Sequence, residues 1–242
     1  MAYMDILPDP DRKIMNSGKQ NDVSGTAGPG FASVKFSSNQ PTMVSRTNGG
    51  KVVTRSQATQ YWQIEISYNP LTRDEFEPVN SFLMSRQGRL SPFYVVLPQY
   101  SVSRDSTFAT YAASNTISTV GATNSGATKL TAQGFTAEGL NNTNSPRPGD
   151  LFTIEDTENS NHVKAYMITR VETNADYDGT QPTTTQRIIH FNPPMIYSSG
   201  TTTTINFTAP KVRVISTKNV TDYSLGTNNL YQFNLSLEEA LP

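Results

Sequence analysis

Between Gln60 and Tyr68 the residues Trp62, Ile64, Ile66 and Tyr68 are apolar, while Gln63, Glu65 and Ser67 between them are polar. That period of two marks a strand with one buried face. Asn69-Pro70 ends it, and Thr72-Arg73-Asp74-Glu75 then has the spacing of a capping box, which predicts a helix over 73–87. Its apolar residues Phe76, Val79, Phe82 and Leu83 share one face, and Gly88 is a suitable stop. A strand with one wet face and a helix with one apolar stripe must bury those surfaces against each other. The stretch 91–97 reads as a second strand. Tyr231, Phe233, Leu235 and Leu237 alternate with polar residues near the other end of the chain, and an amphipathic strand there needs a sheet to join. The predicted core anchors are therefore Trp62, Ile64, Ile66, Phe76, Val79, Phe82, Leu83, Phe233 and Leu235.

The rest of the chain is polar and short of helix signals. It holds 31 Thr, 24 Ser and 20 Asn among 242 residues, a composition suited to strands and turns. Strand signals fall at 127–131, 150–155, 162–171, 185–191 and 203–207, and 101–127 reads as a linker with weak strands. The predicted organisation is an extended arm over 1–31 without a core, a discontinuous β-rich domain of 32–101 with 210–242, and an inserted all-β barrel or sandwich over 102–209. Two strands near 41–47 and 51–55 flank Thr47-Asn48-Gly49-Gly50, a hairpin signal.

Charge and chemistry narrow the functional classes. Nineteen basic against twenty acidic residues give a net charge of −1, so no bulk attraction to nucleic acid or anionic membrane arises. The basic residues are scattered and form no patch with interleaved aromatics, as specific nucleic-acid binding requires. Without cysteine there is no disulfide, thiolate nucleophile or sulfur-ligated metal. No apolar run reaches membrane-helix length. The N-terminus carries acids and prolines where a secretory signal needs an apolar core, so synthesis and retention in a host cytoplasm are expected until assembly or release.

The two histidines, His162 and His190, are placed on predicted strands 28 residues apart, without the short spacing of a metal site. Asn174-Ala175-Asp176-Tyr177-Asp178-Gly179 imitates a calcium loop, yet Thr185 stands where a bidentate Glu is needed; a hairpin turn is expected. Asp74, Glu75 and Glu77 suit a helix first turn, and Glu155, Asp156 and Glu158 cluster at a strand end. Both acidic groups thus have structural reasons to exist, and no nucleophile elbow, phosphate loop or paired Ser/His constellation is present. The expectation is a non-enzymatic protein with no cofactor and no metal.

The segments Gln60-Tyr61-Trp62, Tyr68-Asn69-Pro70-Leu71-Thr72-Arg73-Asp74-Glu75-Phe76 and Phe82-Leu83-Met84-Ser85-Arg86-Gln87-Gly88 resemble a pattern in tail and baseplate proteins of tailed bacteriophages, of the distal-tail or tube-initiating hub type. Arg147-Pro148-Gly149-Asp150-Leu151-Phe152 resembles the strand entry of their inserted domain, and 231–241 their C-terminal strand. The resemblance implies a mainly β fold, a split β-barrel packed on one α-helix with a small inserted all-β domain. It further implies a virion structural protein, forming a homo-oligomeric ring of six at the distal end of the tail tube and joining tube to baseplate or fibres. The partners so implied are other copies of the chain and other tube and baseplate proteins. The arm and the 41–55 hairpin, with Met43, Arg46, Asn48, Lys51 and Arg55, would contact neighbouring subunits or the tube. The alternative, from a different class, is a carbohydrate-binding β-module used in host recognition, which a glycan array would separate from a hub. If the face of the 73–87 helix is correctly assigned, Phe82→Ala costs about 3–5 kcal/mol in denaturant melts; a variant that melts like the parent refutes it.

Overall fold

The computed structural model describes residues 5–21, 24–56, 60–137, 144–157, 159–176, 182–219 and 222–241. In chain order the elements are β1 (Lys13–Ile14), β2 (Gln20–Asn21), β3 (Phe31–Asn39), β4 (Thr42–Arg46), β5 (Val52–Ser56), β6 (Tyr61–Tyr68), α1 (Arg73–Ser85), β7 (Phe93–Val96), α2 (Ser106–Ser114) and β8 (Ile117–Thr119). They continue with β9 (Lys129–Gln133), β10 (Leu151–Glu155), β11 (Ala165–Glu172), β12 (Gln186–Asn192), β13 (Thr204–Asn206), β14 (Lys211–Ser216), β15 (Tyr223–Leu225) and β16 (Tyr231–Glu239). The architecture is mainly β, as anticipated. It divides into two compact units, Met1–Val95 with Arg213–Ala240 and Val96–Val212 with Leu241–Pro242.

The first unit is built on an open, half-barrel sheet of order β3-β6-β16-β14-β7, with β15 paired to the first part of β16. Register fixes which residues share a face. Ile66 lies opposite Leu235 and Val34, and Ile64 opposite Leu237 and Phe36, so the apolar positions of three strands meet on one side. Trp62 stacks on Phe36 with centroids 4.4 Å apart. Helix α1 covers this face. Its start is held by Glu75, whose carboxylate accepts from the Thr72 N–H at 2.9 Å and the Thr72 hydroxyl at 2.7 Å; these bonds lower the Glu75 pKa. Phe76 stacks on Tyr231 at 4.5 Å, and Phe82 meets Phe93 edge-on at 5.4 Å. Trp62, Ile64, Ile66, Phe76, Val79, Phe82, Leu83, Phe233 and Leu235 are all buried. Beyond α1, Gln87 and Gly88 take left-handed φ of 54° and 67°, which turns the chain out of the helix.

The described part of 1–31 departs from an arm without a core. Ile6 and Leu7 are buried alongside the edge strand β7: the Tyr94 N–H donates to the Asp5 carbonyl, and the Leu7 N–H to the Tyr94 carbonyl, both at 2.8 Å. β1 and β2 pair with each other. Ile14 exchanges two 2.9 Å bonds with Thr26, and the Gly28 N–H donates to the Asp9 carbonyl at 3.1 Å. Asp9 in turn pairs with Arg12 at 2.7 Å. Backbone approach, rather than side-chain periodicity, folds this segment, and the glycines permit it. A Cβ on Gly28 would lie 2.3 Å from the Pro8 carbonyl carbon. Removing 1–31 would thus strip a covered sheet edge rather than a dispensable tail.

The second unit is a closed antiparallel barrel of order β10-β11-β12-β9-β8-β13. Phe152, Tyr166, Ile168, Ile189, Phe191 and Ile205 pack inside it, with Phe152 edge-on to Phe191 at 5.5 Å. A bulge between Ile168 and Arg170 interrupts the β11–β12 ladder. The linker reading of 101–127 is corrected here by α2. Asp105 caps that helix by accepting from the Thr107 and Phe108 N–H groups. Phe108 is fully buried against Phe207 and Phe135. A run of Ser, Thr and Ala with only Phe108 and Tyr111 as large side chains gives too short an apolar stripe for a periodic signature over nine residues.

Gly28→Ala should destabilise the protein by about 1–3 kcal/mol through the forced displacement of Pro8, whereas Gly49→Ala, where a Cβ meets nothing within 4 Å, should stay within about 0.5 kcal/mol. Equal melting of the two variants would contradict the packing of the N-terminal segment.

Candidate assembly surface

β4 and β5 form a ribbon that, among the described residues, pairs with no other strand. Its register runs from Thr42↔Ser56 to Arg46↔Val52. Cross-strand partners share a face, so Val44, Arg46 and Val52 lie on one side, and Met43, Val53 and Arg55 on the other. Met43, Val44, Val52 and Val53 are between 47% and 62% exposed. The turn Thr47-Asn48-Gly49-Gly50 closes through the Gly50 N–H, which donates to Thr47 at 2.9 Å, and Gly50 takes φ 79°. Met43, Arg46, Asn48, Lys51 and Arg55 thus stand together on this one exposed ribbon. Residues 23–64 contain Lys35, Arg46, Lys51 and Arg55 but no Asp or Glu, and Lys35 is already paired with Glu65 at 3.1 Å. The ribbon is basic, apolar on both faces and too thin to bury either face by itself.

The ribbon leaves the sheet at the end where Asn39 pairs with Tyr61. A second exposed apolar surface lies at the opposite end, past Tyr68. Leu71 and Tyr231 exchange two 2.8 Å backbone bonds there, which holds the chain entering α1 against β16. Tyr223 of β15 packs on Phe76 at 4.9 Å yet is 53% exposed, and Leu225 is 54% exposed. This strand was not foreseen, since three exposed residues carry no period. Asp222 adjoins Tyr223, and Asp74 and Glu77 are exposed on α1, with Glu77 3.5 Å from Arg73.

The groups considered for chemistry have structural work. His162 precedes β11 rather than lying on it, and its side chain is fully buried. The Ile196 N–H donates to the Tyr166 hydroxyl at 3.2 Å, and that hydroxyl lies 2.9 Å from His162 Nε2. The Tyr166 hydroxyl thus joins His162 Nε2 to the Ile196 backbone, and His162 Nδ1 faces Asp156 at 3.8 Å. Burial pushes the His162 pKa below its ordinary 6.5, against the opposing pull of Asp156. His190 sits on β12, 3.1 Å from the Glu172 carboxylate, which also binds Arg170 at 2.7 Å. Arg187, fully buried, donates to the carbonyls of Thr184, Gln186 and Thr136 and to Ser145.

In the Arg147-Pro148-Gly149-Asp150 turn, Asp150 accepts from the Arg147 N–H at 2.9 Å, the Arg104 N–H at 3.1 Å and the Ser103 hydroxyl. Glu155 accepts from Asn206 at 3.0 Å, while Glu158 lies outside the described residues. Of the calcium-like loop, Asn174–Asp176 is a helical turn and 177–179 lie outside the described residues. No group of three or more metal-ligating side chains occurs among the described residues, and no helix among them is long and apolar enough to cross a membrane.

The first unit is thus a half-barrel sheet with a capped helix on one face and a ribbon at one end. The family model for the N-terminal part of the A domain of distal tail protein pb9 matches residues 22–100, which contain β3 to β7, α1 and the ribbon. Over 145 residues the chain is 32% identical to distal tail protein pb9 of Escherichia phage T5, a match covering 59% of this chain and 62% of that protein. The matched stretch spans less than two thirds of that relative's length.

Because His162 takes a proton less readily when folded than when unfolded, its contribution to stability is intact above pH 6.5 and is lost as pH falls below that value. Melting curves from pH 7.5 to 5 should show this loss, with a slope of at most about 1.4 kcal/mol per pH unit from this one group. His162→Gln should flatten the curve across that window; an unchanged slope would remove His162 as the cause.

Proposed function

We propose that the chain is a structural component of a bacteriophage tail, without enzymatic activity. It forms a closed ring at the distal end of the tail tube and joins tube to baseplate or fibres. The ring count implied by the resemblance is six. In this reading 32–101 with 210–242 form the hub domain, 102–209 is carried as an inserted domain, and the ribbon makes the contacts between subunits or to the tube. The protein is made in the host cytoplasm and ends in the virion.

The observation that carries the reading is the ribbon itself. It lies within the segment matched by the distal-tail family model, and its exposed Met and Val side chains gain burial only against a partner surface. Distal tail protein pb9 supports the assignment of a tail role by its name and by the shared segment.

Cryo-EM of virions carrying this chain tests the proposal. Density for the chain as a ring around the tail lumen, at the junction of tube and tip, is expected. Its location elsewhere in the particle overturns the reading, as does turnover of peptidoglycan or polysaccharide by the purified protein that a single carboxylate substitution abolishes.

A further inference from the structure

Deamidation is unevenly open to the asparagines of this chain. The reaction uses the backbone nitrogen of the following residue as its nucleophile, so a proline there, or an N–H already donated, closes it. Asn69 and Asn192 are followed by proline. The Ser125 N–H after Asn124 donates to the Ser198 hydroxyl at 3.1 Å. The His162 N–H after Asn161 donates to the Asn159 carbonyl, and the Asn229 N–H after Asn228 to the Gly226 carbonyl, both at 3.0 Å. Asn80 lies inside α1, where helix bonds hold the next N–H.

At Asn48 none of these closures applies. Asn48 and Gly49 are both exposed at the tip of the β4–β5 ribbon. The turn closes through other groups: the Gly50 N–H donates to the Thr47 carbonyl at 2.9 Å, and the Lys51 N–H to the Thr47 hydroxyl at 3.2 Å. Among the described residues the Gly49 N–H meets no acceptor. Gly49 has no side chain, and the place where a Cβ would stand has nothing within 4 Å. Arg46 and Lys51 flank the turn, and residues 23–64 hold no Asp or Glu, so the local charge favours the anionic form of a nitrogen at the tip. We propose that Asn48 is a self-modifying site, converted without an enzyme into isoaspartate or aspartate through attack by the Gly49 nitrogen.

Hydroxide removes the Gly49 amide proton, and the nitrogen forms a bond to Asn48 Cγ. The Cγ–Nδ2 bond breaks, and Nδ2 leaves as ammonia with a proton taken from water, which restores the hydroxide. Water then opens the cyclic imide. Cleavage at Cγ leaves aspartate in an unaltered backbone, whereas cleavage at the Asn48 carbonyl carbon leaves isoaspartate, with the main chain rerouted through the side chain. Either product puts the first carboxylate on a ribbon whose charged groups are Arg46, Lys51 and Arg55. Isoaspartate also adds a methylene to a turn closed by the Thr47–Gly50 bond. The tip of an aged chain therefore differs from that of a fresh one in charge and, in the isoaspartate form, in backbone path. The inference needs only an exposed turn and stands apart from the ring reading.

Incubating the folded full chain in mildly alkaline buffer, followed by peptide mass spectrometry with isoaspartate detection, tests this. The peptide containing Asn48 should gain the mass of an amide-to-acid exchange, with isoaspartate in excess of aspartate, while Asn124 and Asn228 stay unchanged in the same sample. Gly49→Ala should slow the conversion about tenfold, since a methyl group hinders the nitrogen and restricts the backbone that must swing toward Cγ. Circular dichroism melts check that this variant remains folded. Denaturant should let Asn124 convert as well, because the Ser125 N–H is then released. Conversion of Asn48 no faster than that of Asn124 in the folded chain overturns the proposal, as does a Gly49→Ala chain that converts like the parent. Aspartate formed without isoaspartate overturns the imide route. A chain that converts at Asn48 yet forms no ring supports this inference while removing the functional reading, so the two are tested apart.

Discussion

The insertion of β16 between β6 and β14 holds the first unit together. From Asn234↔Ser67 to Glu238↔Gln63 the last strand pairs with one laid down more than two thirds of the chain earlier, and the Glu239 carboxylate accepts from the buried Trp62 N–H at 3.1 Å. Until that strand arrives, β6 and β14 have no common neighbour, and α1 lacks Tyr231 and Phe233, two of the rings against which Phe76 packs. The contact closes a very long loop, whose entropic cost must be met before the apolar face is rewarded. A barrel formed within the second unit shortens the effective span, because the intervening chain is then compact rather than extended.

Elements whose side chains alternate against a single buried face were readable from sequence. Trp62, Ile64 and Ile66 mark β6, Phe233, Leu235 and Leu237 mark β16, and Phe76, Val79, Phe82 and Leu83 mark α1, because burial itself imposes those periods. Elements that depend on backbone approach were not. Ile6 and Leu7 are adjacent apolar residues with no period, held by two bonds to Tyr94, and the crossing of Gly28 over Pro8 leaves no local mark. Helix α2 depends on one capping carboxylate and one buried ring. Of the candidate assembly surface, the ribbon is legible as Asn-Gly between β-formers with basic residues around it. The exposed apolar end at β15 is not, since Phe76 and Tyr223 lie far apart in sequence and only the packing of their rings brings them together.

Polar groups sealed inside the second unit account for the chemistry that the sequence seemed to offer. Arg187 gathers carbonyls from two segments, Asp150 holds the turn into β10, and the Asp156, His162 and Tyr166 side chains fasten the chain around Ile196. Each is hydrogen-bonded as a buried polar group must be, so their presence needs no substrate to explain it.

The residues beside β7 give the sheet a polarity of a different kind. β3 forms one margin of the order β3-β6-β16-β14-β7, and the other margin is occupied by the chain's own residues 5–7. Runaway strand addition, the hazard of open sheets, requires two vacant margins, one to receive and one to offer. Here a molecule that added to another through β3 would expose only a margin already capped, and growth would halt at the first step. The N-terminal segment therefore behaves as a polymer chemist's end-group, closing one margin of the sheet to further addition.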